Sequence, residues 1–488
     1  MRSQLAATRK GVSFPAFILA FLTFVSLSLV ITSCGGTSTE FTSGSGTGTV
    51  RVSLSDPPSC KFPVGDFKNV WVTIRSVQAH VSPTAGDGDG AWQELAPNLA
   101  DAPVQLDLMA TPQNSCVLAQ LGVTEIPVGA YQQIRLLLVA NNPAAGSPVP
   151  STNACGSQGF NCAVLSDDSI KRLELSSQAN TGLKIPPGQI VGGPITVEEG
   201  ETIDLNIDFN ACASIVRQGN GQLRLRPTLT AGQVSSASTG ISGTVVDSVT
   251  MMPITGEVQV AVQQADSTGV GRIVMQAAAG SNGSFNFCPL PSGTYDIVAV
   301  ATSDADISFG PTALLGVPAG SSVGNIPLIA DSLSMGPATI SGEATSTTGS
   351  AGVSVDVGLS ALQTIDVSGA MRQLNIPLQG DSTPVIATET GATCPANTFC
   401  KMYTLIVPAA NPSFGTFMMG GGTMFSTPAA GDVLFSIEGR AFTPMSGGTP
   451  NCSPSFVLIN MDSTDMPLKV TPATTTAAKR MDFVGCTM

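Results

Sequence analysis

The sequence predicts an all-β protein built as tandem β-sandwich domains, and three observations carry that prediction. Short runs alternate apolar and polar residues with period two, as in Val50-Arg51-Val52-Ser53-Leu54 and Val70-Trp71-Val72-Thr73-Ile74-Arg75. This spacing turns one side of a strand toward a core. Turn-forming residues separate the runs, among them many of the 52 glycines and 34 prolines. Helical periodicity is scarce, Leu165 to Leu175 being the single modest helix candidate.

Composition narrows the function. The chain has 488 residues, a formal net charge of −13 and only 11% charged side chains, where soluble domains carry about 25%. Its 42% hydrophobic content is too high for a disordered acidic segment. The acidic balance argues against nucleic acid as a partner, because a phosphate backbone calls for clustered Lys and Arg. One histidine, His80, removes most His-dependent catalysis and His-ligated metal sites.

The first segment is a targeting signal, to be set apart from the fold. Arg2, Arg9 and Lys10 form a basic start, Phe14 to Ile31 is apolar or small throughout, and Val30-Ile31-Thr32-Ser33-Cys34 precedes Gly35-Gly36. This pattern resembles the lipobox of bacterial lipoprotein signal peptides. The resemblance implies cleavage of residues 1–33, a diacylglycerol thioether on the Cys34 sulfur and acylation of the freed Cys34 amine. Gly35, in place of Asp, implies no inner-membrane retention, so an outer-membrane lipoprotein facing the periplasm or the cell surface is expected. The mature chain has 455 residues (488 less 33) and a net charge of −16, because three cations and no acids leave with the signal. Membrane contact is expected through the Cys34 lipid alone, since an acidic body is repelled by anionic headgroups. Residues 34–48, rich in Gly, Ser and Thr, form a flexible tether with a mean reach of roughly 20 Å.

Ten cysteines remain, an even number that predicts disulfides in an oxidising compartment. No Cys-x-x-Cys pair occurs, so zinc is not indicated. Cys155 with Cys162, and Cys394 with Cys400, have spacings suited to local bridges. Cys452 and Cys486 would then staple the end of the chain, and Cys60 and Cys116 lie in similar Pro/Ser-rich loops. Cys212 and Cys288 are left, and a bridge between them would join two domains.

The first domain, residues 49–236, adds the strands Gln133-Ile134-Arg135-Leu136-Leu137-Leu138, Thr202-Ile203-Asp204-Leu205-Asn206-Ile207-Asp208-Phe209 and Leu223-Arg224-Leu225-Arg226. Between them stand Trp92-Gln93-Glu94-Leu95, Gln105-Leu106-Asp107-Leu108 and Pro127-Val128-Gly129-Ala130-Tyr131. This order resembles an uncharacterised domain-of-unknown-function family found just after the anchor of many secreted bacterial lipoproteins. The resemblance implies a β fold and an exported location, and it brings no catalytic residues.

Residues 240–330 open with Ile241-Ser242-Gly243-Thr244-Val245-Val246-Asp247 and contain Gly283-Ser284-Phe285-Asn286-Phe287-Cys288-Pro289-Leu290-Pro291-Ser292-Gly293-Thr294-Tyr295. They resemble the carboxypeptidase regulatory-like (transthyretin-like) sandwich, which implies a non-catalytic accessory module. Phe285 and Phe287 face one side of their strand, and Cys288 alternates away toward solvent or a neighbouring domain. Residues 338–488 echo this domain, with Ile340-Ser341-Gly342 matching Ile241-Ser242-Gly243 and Ser413-Phe414-Gly415 matching Ser308-Phe309-Gly310. A further sandwich is expected there.

The candidate sites are few. Asp87 and Asp89 in Asp87-Gly88-Asp89-Gly90 are part of a calcium-loop pattern, but its third acid and distal Glu are missing, and a hairpin tip is preferred. Glu198-Glu199-Gly200-Glu201 is read as a charged turn rather than a carboxylate site. Met418, Met419 and Met424 offer soft ligands for copper, yet filling an irregular core is the preferred reading. No nucleophile elbow or phosphate-binding loop occurs. No catalytic residue, metal or cofactor is therefore assigned. The expected function is that of a lipid-anchored, non-catalytic cell-envelope protein with a structural, adhesive or ligand-presenting role and an envelope protein or glycan as partner. The alternative is a carbohydrate- or polymer-binding accessory lipoprotein, with only Trp71 and Trp92 as tryptophan platforms.

Overall fold

The computed structural model describes residues 46–55, 67–86, 88–110, 116, 119–175, 181–211, 214–218, 221–226, 228–234, 240–331, 335–420, 422–442, 452, 456–459 and 467–487. Cys34, Cys60, Asp87 and Cys212 lie outside the described residues. Those described form a nearly all-β structure, as the alternation predicts, with helix confined to three single turns of 3-10 geometry.

In the first segment, Thr47–Ser55 lies between Thr202–Phe209, its parallel partner, and Ala119–Pro127, its antiparallel one. The parallel register sets Val50 opposite Ile203, Val52 opposite Leu205 and Leu54 opposite Ile207. All six are buried in one core, which is what the period-two spacing requires. On the other face Arg51 and Asp204, also opposite one another, form an ion pair at 2.6 Å. The long strand Phe67–His80 organises the second sheet, pairing with Gln133–Leu138, Cys162–Leu165 and Val104–Asp107. Leu165 to Leu175 is not helical. It is the turn and return strand of a hairpin, Cys162–Leu165 against Ile170–Glu174, because Asp168 takes the left-handed region at φ 63°. The Asp167 carboxylate accepts from the Ser169 N–H at 2.9 Å, an Asx turn that outcompetes helix propagation.

In the second segment, Ser284–Phe287, Ile241–Asp247 and Ser322–Leu328 form one sheet, and Gly271–Ala278, Gly256–Ala265, Thr294–Ser303 and Ser308–Pro318 form four strands of the other. Phe285 and Phe287 are both buried, with ring centroids 5.7 Å apart. Residues 297–301 are apolar without alternation and buried on both faces of their strand. Ile297, Ala299 and Ala301 pack into the second core, while Val298 and Val300 pack into the third. In the third segment Ala338–Ser346 is central to one sheet, and Asp356–Val367 and Val433–Phe442 are central to the other.

One strand crosses between segments. Ser413–Thr416 leaves the third segment's sheets and completes the second segment's larger sheet, parallel to Ser308–Pro318, with Thr312 opposite Ser413. The two Ser-Phe-Gly echoes thus belong to adjacent strands of one sheet.

Polar contacts reinforce this junction. Gln263 exchanges two hydrogen bonds with the Asn375 backbone, both 2.9 Å, and Glu257 accepts from the Gly380 N–H at 2.9 Å. Arg272 spans to Glu438 and also holds Asp266, whose carboxyl is held down to about 2 by hydrogen bonds from Thr268 and Arg272 that outweigh its desolvation. Arg224 meets Asp356 in a bidentate, buried pair linking the first and third segments. Beside it, burial pulls the Arg226 guanidinium down to about 10.

The three tyrosines of the chain are all buried. Tyr131 donates to the Pro127 carbonyl at 2.8 Å and Tyr295 to that of Pro291 at 2.7 Å. Both follow the same Pro-x-Gly-x-Tyr spelling, so one local device pins the entry of a strand in two sandwiches. Tyr403 has no such partner. Its hydroxyl is buried without a hydrogen bond among the described residues, packed over Gly342, where a Cβ would lie 2.3 Å away.

Candidate functional site

The cysteines form four bridges among the described residues: Cys155–Cys162, Cys394–Cys400, Cys452–Cys486 and Cys116–Cys288. The last corrects two pairings. Cys288 joins the first and second segments, but its partner is Cys116 rather than Cys212, so Cys116 is not bonded to Cys60. Cys288 stands just past the end of its strand and meets Cys116 at a Cα separation of 4.9 Å.

His80 is buried at the end of its strand, with Nδ1 accepting from the Ser82 N–H at 2.9 Å and its ring 5.1 Å from that of Trp92. Its Nε2 has no hydrogen-bond partner among the described residues. Asp89 closes the hairpin tip by accepting from the Gly86 N–H at 2.8 Å. Glu198 to Glu201 form a tight turn, Glu201 N–H to Glu198 carbonyl at 3.2 Å, with Gly200 at φ 71°. The methionine reading is overturned. Met418, Met419 and Met424 are exposed, Met419 to 90%, because their turn projects outward beyond the buried base of Ser413–Thr416. Among the described residues no group of three or more His, Cys, Asp or Glu is placed to hold a metal.

A cleft of about 630 Å³ lies in the first segment beside the strand Phe67–His80. Its shape begins with a β-bulge. The register against Gln133–Leu138 shifts between Ile74 and Ser76, leaving Arg75 as the extra residue, and a bulge re-aims the side chain it carries. Arg75 lines the cleft, its Nε donating to the Leu138 carbonyl at 3.2 Å. The sequence carries a trace of this bulge. The buried hydrophobic residues fall at Val70, Val72 and Ile74 and then change phase to Val77 and Ala79, an alternation slip that one inserted residue explains.

Glu94 forms part of the cleft floor and is saturated. It accepts from Ser76 Oγ at 2.6 Å, Val77 N–H at 3.1 Å, Gln78 Nε2 at 3.1 Å and Ala96 N–H at 3.2 Å. Gln78 in turn accepts from Arg135 Nε at 2.8 Å, and the Arg135 guanidinium lies 3.9 Å from the Trp92 ring centroid. Trp92 is therefore engaged by Arg135 and tilted against His80, and it offers no open stacking platform. Ala100, Pro103, Ala140, Pro143 and Pro148 also line the cleft.

Residues 47–227, the segment that holds this cleft, match the family model described as a domain of unknown function (DUF4382). This segment is a DUF4382 domain. The cleft, its bulge and the Tyr131 corner all belong to the DUF4382 domain. No curated protein matches the chain. Among solved structures the chain is similar to the Bacillus anthracis TIE protein, at 9% identity and a TM-score of 0.16, covering 90% of this chain and 50% of that one. It is also similar to a streptococcal ancillary pilin, at 11% identity and a TM-score of 0.16, covering 79% and 96% respectively. A third is the shaft pilin SpaA of Lactobacillus rhamnosus GG, at 11% identity and a TM-score of 0.17, covering 59% and 98%. The chain spans half the length of the first of these, and the functional reading rests on its own residues.

Proposed function

We propose that this protein is a lipid-anchored, non-catalytic component of the bacterial cell envelope that holds its β-sandwiches on a short tether and presents a ligand-binding face. The observation that carries the reading is the N-terminal pattern, in which a basic start and an uncharged apolar run end at Val30-Ile31-Thr32-Ser33-Cys34. A diacylated and N-acylated Cys34 holds firmly to a membrane, since each buried methylene contributes about 0.8 kcal/mol. Four disulfides favour an exported, oxidising location. In this reading residues 49–236, 240–330 and 338–488 are the three modules, and the second is a carboxypeptidase regulatory-like accessory sandwich facing the periplasm or the cell surface.

The test is fractionation of the wild type and Cys34→Ala after labelling with a fatty acid. The wild type takes up label and sediments with the outer membrane, whereas Cys34→Ala takes up none and stays in the soluble fraction. Sedimentation of Cys34→Ala with membranes would overturn the anchor. Protease treatment of intact cells then distinguishes the cell surface from the periplasm.

A further inference from the structure

We propose that the projecting turn after Ser413–Thr416 binds one soft monovalent metal ion, Cu(I), through the thioethers of Met418, Met419 and Met424.

The first argument is how the turn is held. Phe417 and Phe425, one on each leg, pack partly buried against the core of the second segment, and the Phe417 N–H donates to the Leu315 carbonyl at 2.8 Å. The legs are tied together at their base. Ser413 Oγ donates to the Ser426 carbonyl at 2.6 Å, and the Ser426 N–H donates to the Phe414 carbonyl at 2.8 Å. Gly415 lets the legs close, since a Cβ there would lie 2.7 Å from the Met424 carbonyl oxygen. Between the legs, Gly420 at φ 95° and Gly422 at φ 84° help to reverse the chain, in a region that other residues rarely enter. Both rings are thus turned toward the core, while the methionines beside them are exposed, Met418 to 47% and Met424 to 84%. Met419, just before Gly420, is exposed as well.

The second argument is what such a turn can do. The other residues between Met418 and Met424 are three glycines and a threonine, so the chemistry it presents is that of its sulfurs. A thioether is a soft, uncharged donor that suits Cu(I), whereas hard ions such as Ca²⁺ and Mg²⁺ call for oxygen ligands. Methionine has three rotatable side-chain bonds, which lets sulfurs carried on one short turn close on a single ion. A chain of net charge −13 raises the concentration of cations around it. Thioethers need not lose a proton to bind, unlike histidine, cysteine and carboxylate ligands, so the affinity of this site is independent of pH across the acidic range.

Equilibrium dialysis of the purified full-length protein, its free thiols blocked with N-ethylmaleimide, against Cu(I) kept reduced by ascorbate tests the proposal. One Cu(I) per chain is expected, held equally at pH 7 and pH 5. Ag(I), a soft ion that needs no reductant, is expected to displace it, and Zn(II) is not. Met418→Ile, Met419→Ile and Met424→Ile combined are expected to lower the affinity at least tenfold with the melting temperature unchanged, because all three side chains are exposed. Met402→Ile, at an exposed position outside the turn, is expected to bind as the wild type does. Five results would each overturn the proposal: no Cu(I) binding, wild-type affinity in the triple variant, an equal loss in Met402→Ile, release of the ion between pH 7 and pH 5, or displacement by Zn(II). The readout does not depend on the anchor, so its failure leaves the Cys34→Ala fractionation result standing, and the converse also holds.

Discussion

Asp208 sets a pH dependence that one substitution should erase. Its carboxyl is buried on the strand Thr202–Phe209, where desolvation pushes it up from 3.8 to about 7 despite a hydrogen bond from Ser55 Oγ at 3.1 Å. Between those two values the folded protein holds a proton that the unfolded chain has released. Stability from this group is therefore fully present below pH 3.8 and is lost as pH rises toward and through 7. The gap is roughly three pH units, which at about 1.36 kcal/mol per unit amounts to about 4 kcal/mol. Asp208→Asn keeps an acceptor for Ser55 but cannot ionise, so it mimics the protonated acid at every pH. Urea unfolding of both proteins from pH 4 to pH 8 should show the variant gaining on the wild type by several kcal/mol across the range. Parallel stability curves for the two proteins would refute the reasoning.

Three further outcomes are expected. Asp356→Asn should cost about 3–5 kcal/mol because it strands the buried Arg224 charge, whereas Arg224→Met with Asp356→Leu should be close to neutral, as a double-mutant cycle by denaturation can show. Cys288→Ser opens a bridge spanning 172 residues and should cost about 5 kcal/mol on the chain-entropy account. Non-reducing peptide maps should then show Cys116 free rather than paired with a new partner. Tyr295→Phe should lose about 1 kcal/mol with its bond to Pro291, but Tyr403→Phe, which removes an unpartnered buried hydroxyl, should be neutral or stabilising. Thermal melts that rank the two tyrosines in the opposite order would contradict this.

How much could be read from the sequence depended on the range of the interactions involved. Val50, Val52 and Leu54 announce their strand because burial on one face repeats every second residue, and the unbroken run at residues 297–301 marks a strand covered on both sides. The short Cys155–Cys162 and Cys394–Cys400 loops could be read for the same local reason. Cys116 with Cys288 could not, since that pairing is fixed by which loop of one sandwich meets the next, and chain spacing carries no record of it. At Leu165 to Leu175 the apolar spacing fits a helix, but two adjacent aspartates supply a turn that breaks it. The cleft was hidden for a related reason. Arg75 looks like one more outward residue until the slip from Ile74 to Val77 is taken as an inserted residue. Nothing in Met418 to Met424 signals exposure, because a methionine-rich stretch fits a core and a projecting turn equally well.

The passage of Ser413–Thr416 into the second sandwich bears on how the protein is made. A chain crossing a membrane from its N-terminus delivers Ser322–Leu328, the last of the second segment's own strands, well before residue 413 emerges. During that interval the edge of Ser308–Pro318 that will receive the late strand stands unpaired, and such an edge is a template for pairing with other chains. The Cys116–Cys288 bridge can close as soon as residue 288 is out, so the first two modules are cross-linked while the second still lacks a strand. Under the export proposed above, secretion would include a window in which a covalently joined, incomplete sheet waits for its final strand, and the span between residues 328 and 413 would set how long that window lasts.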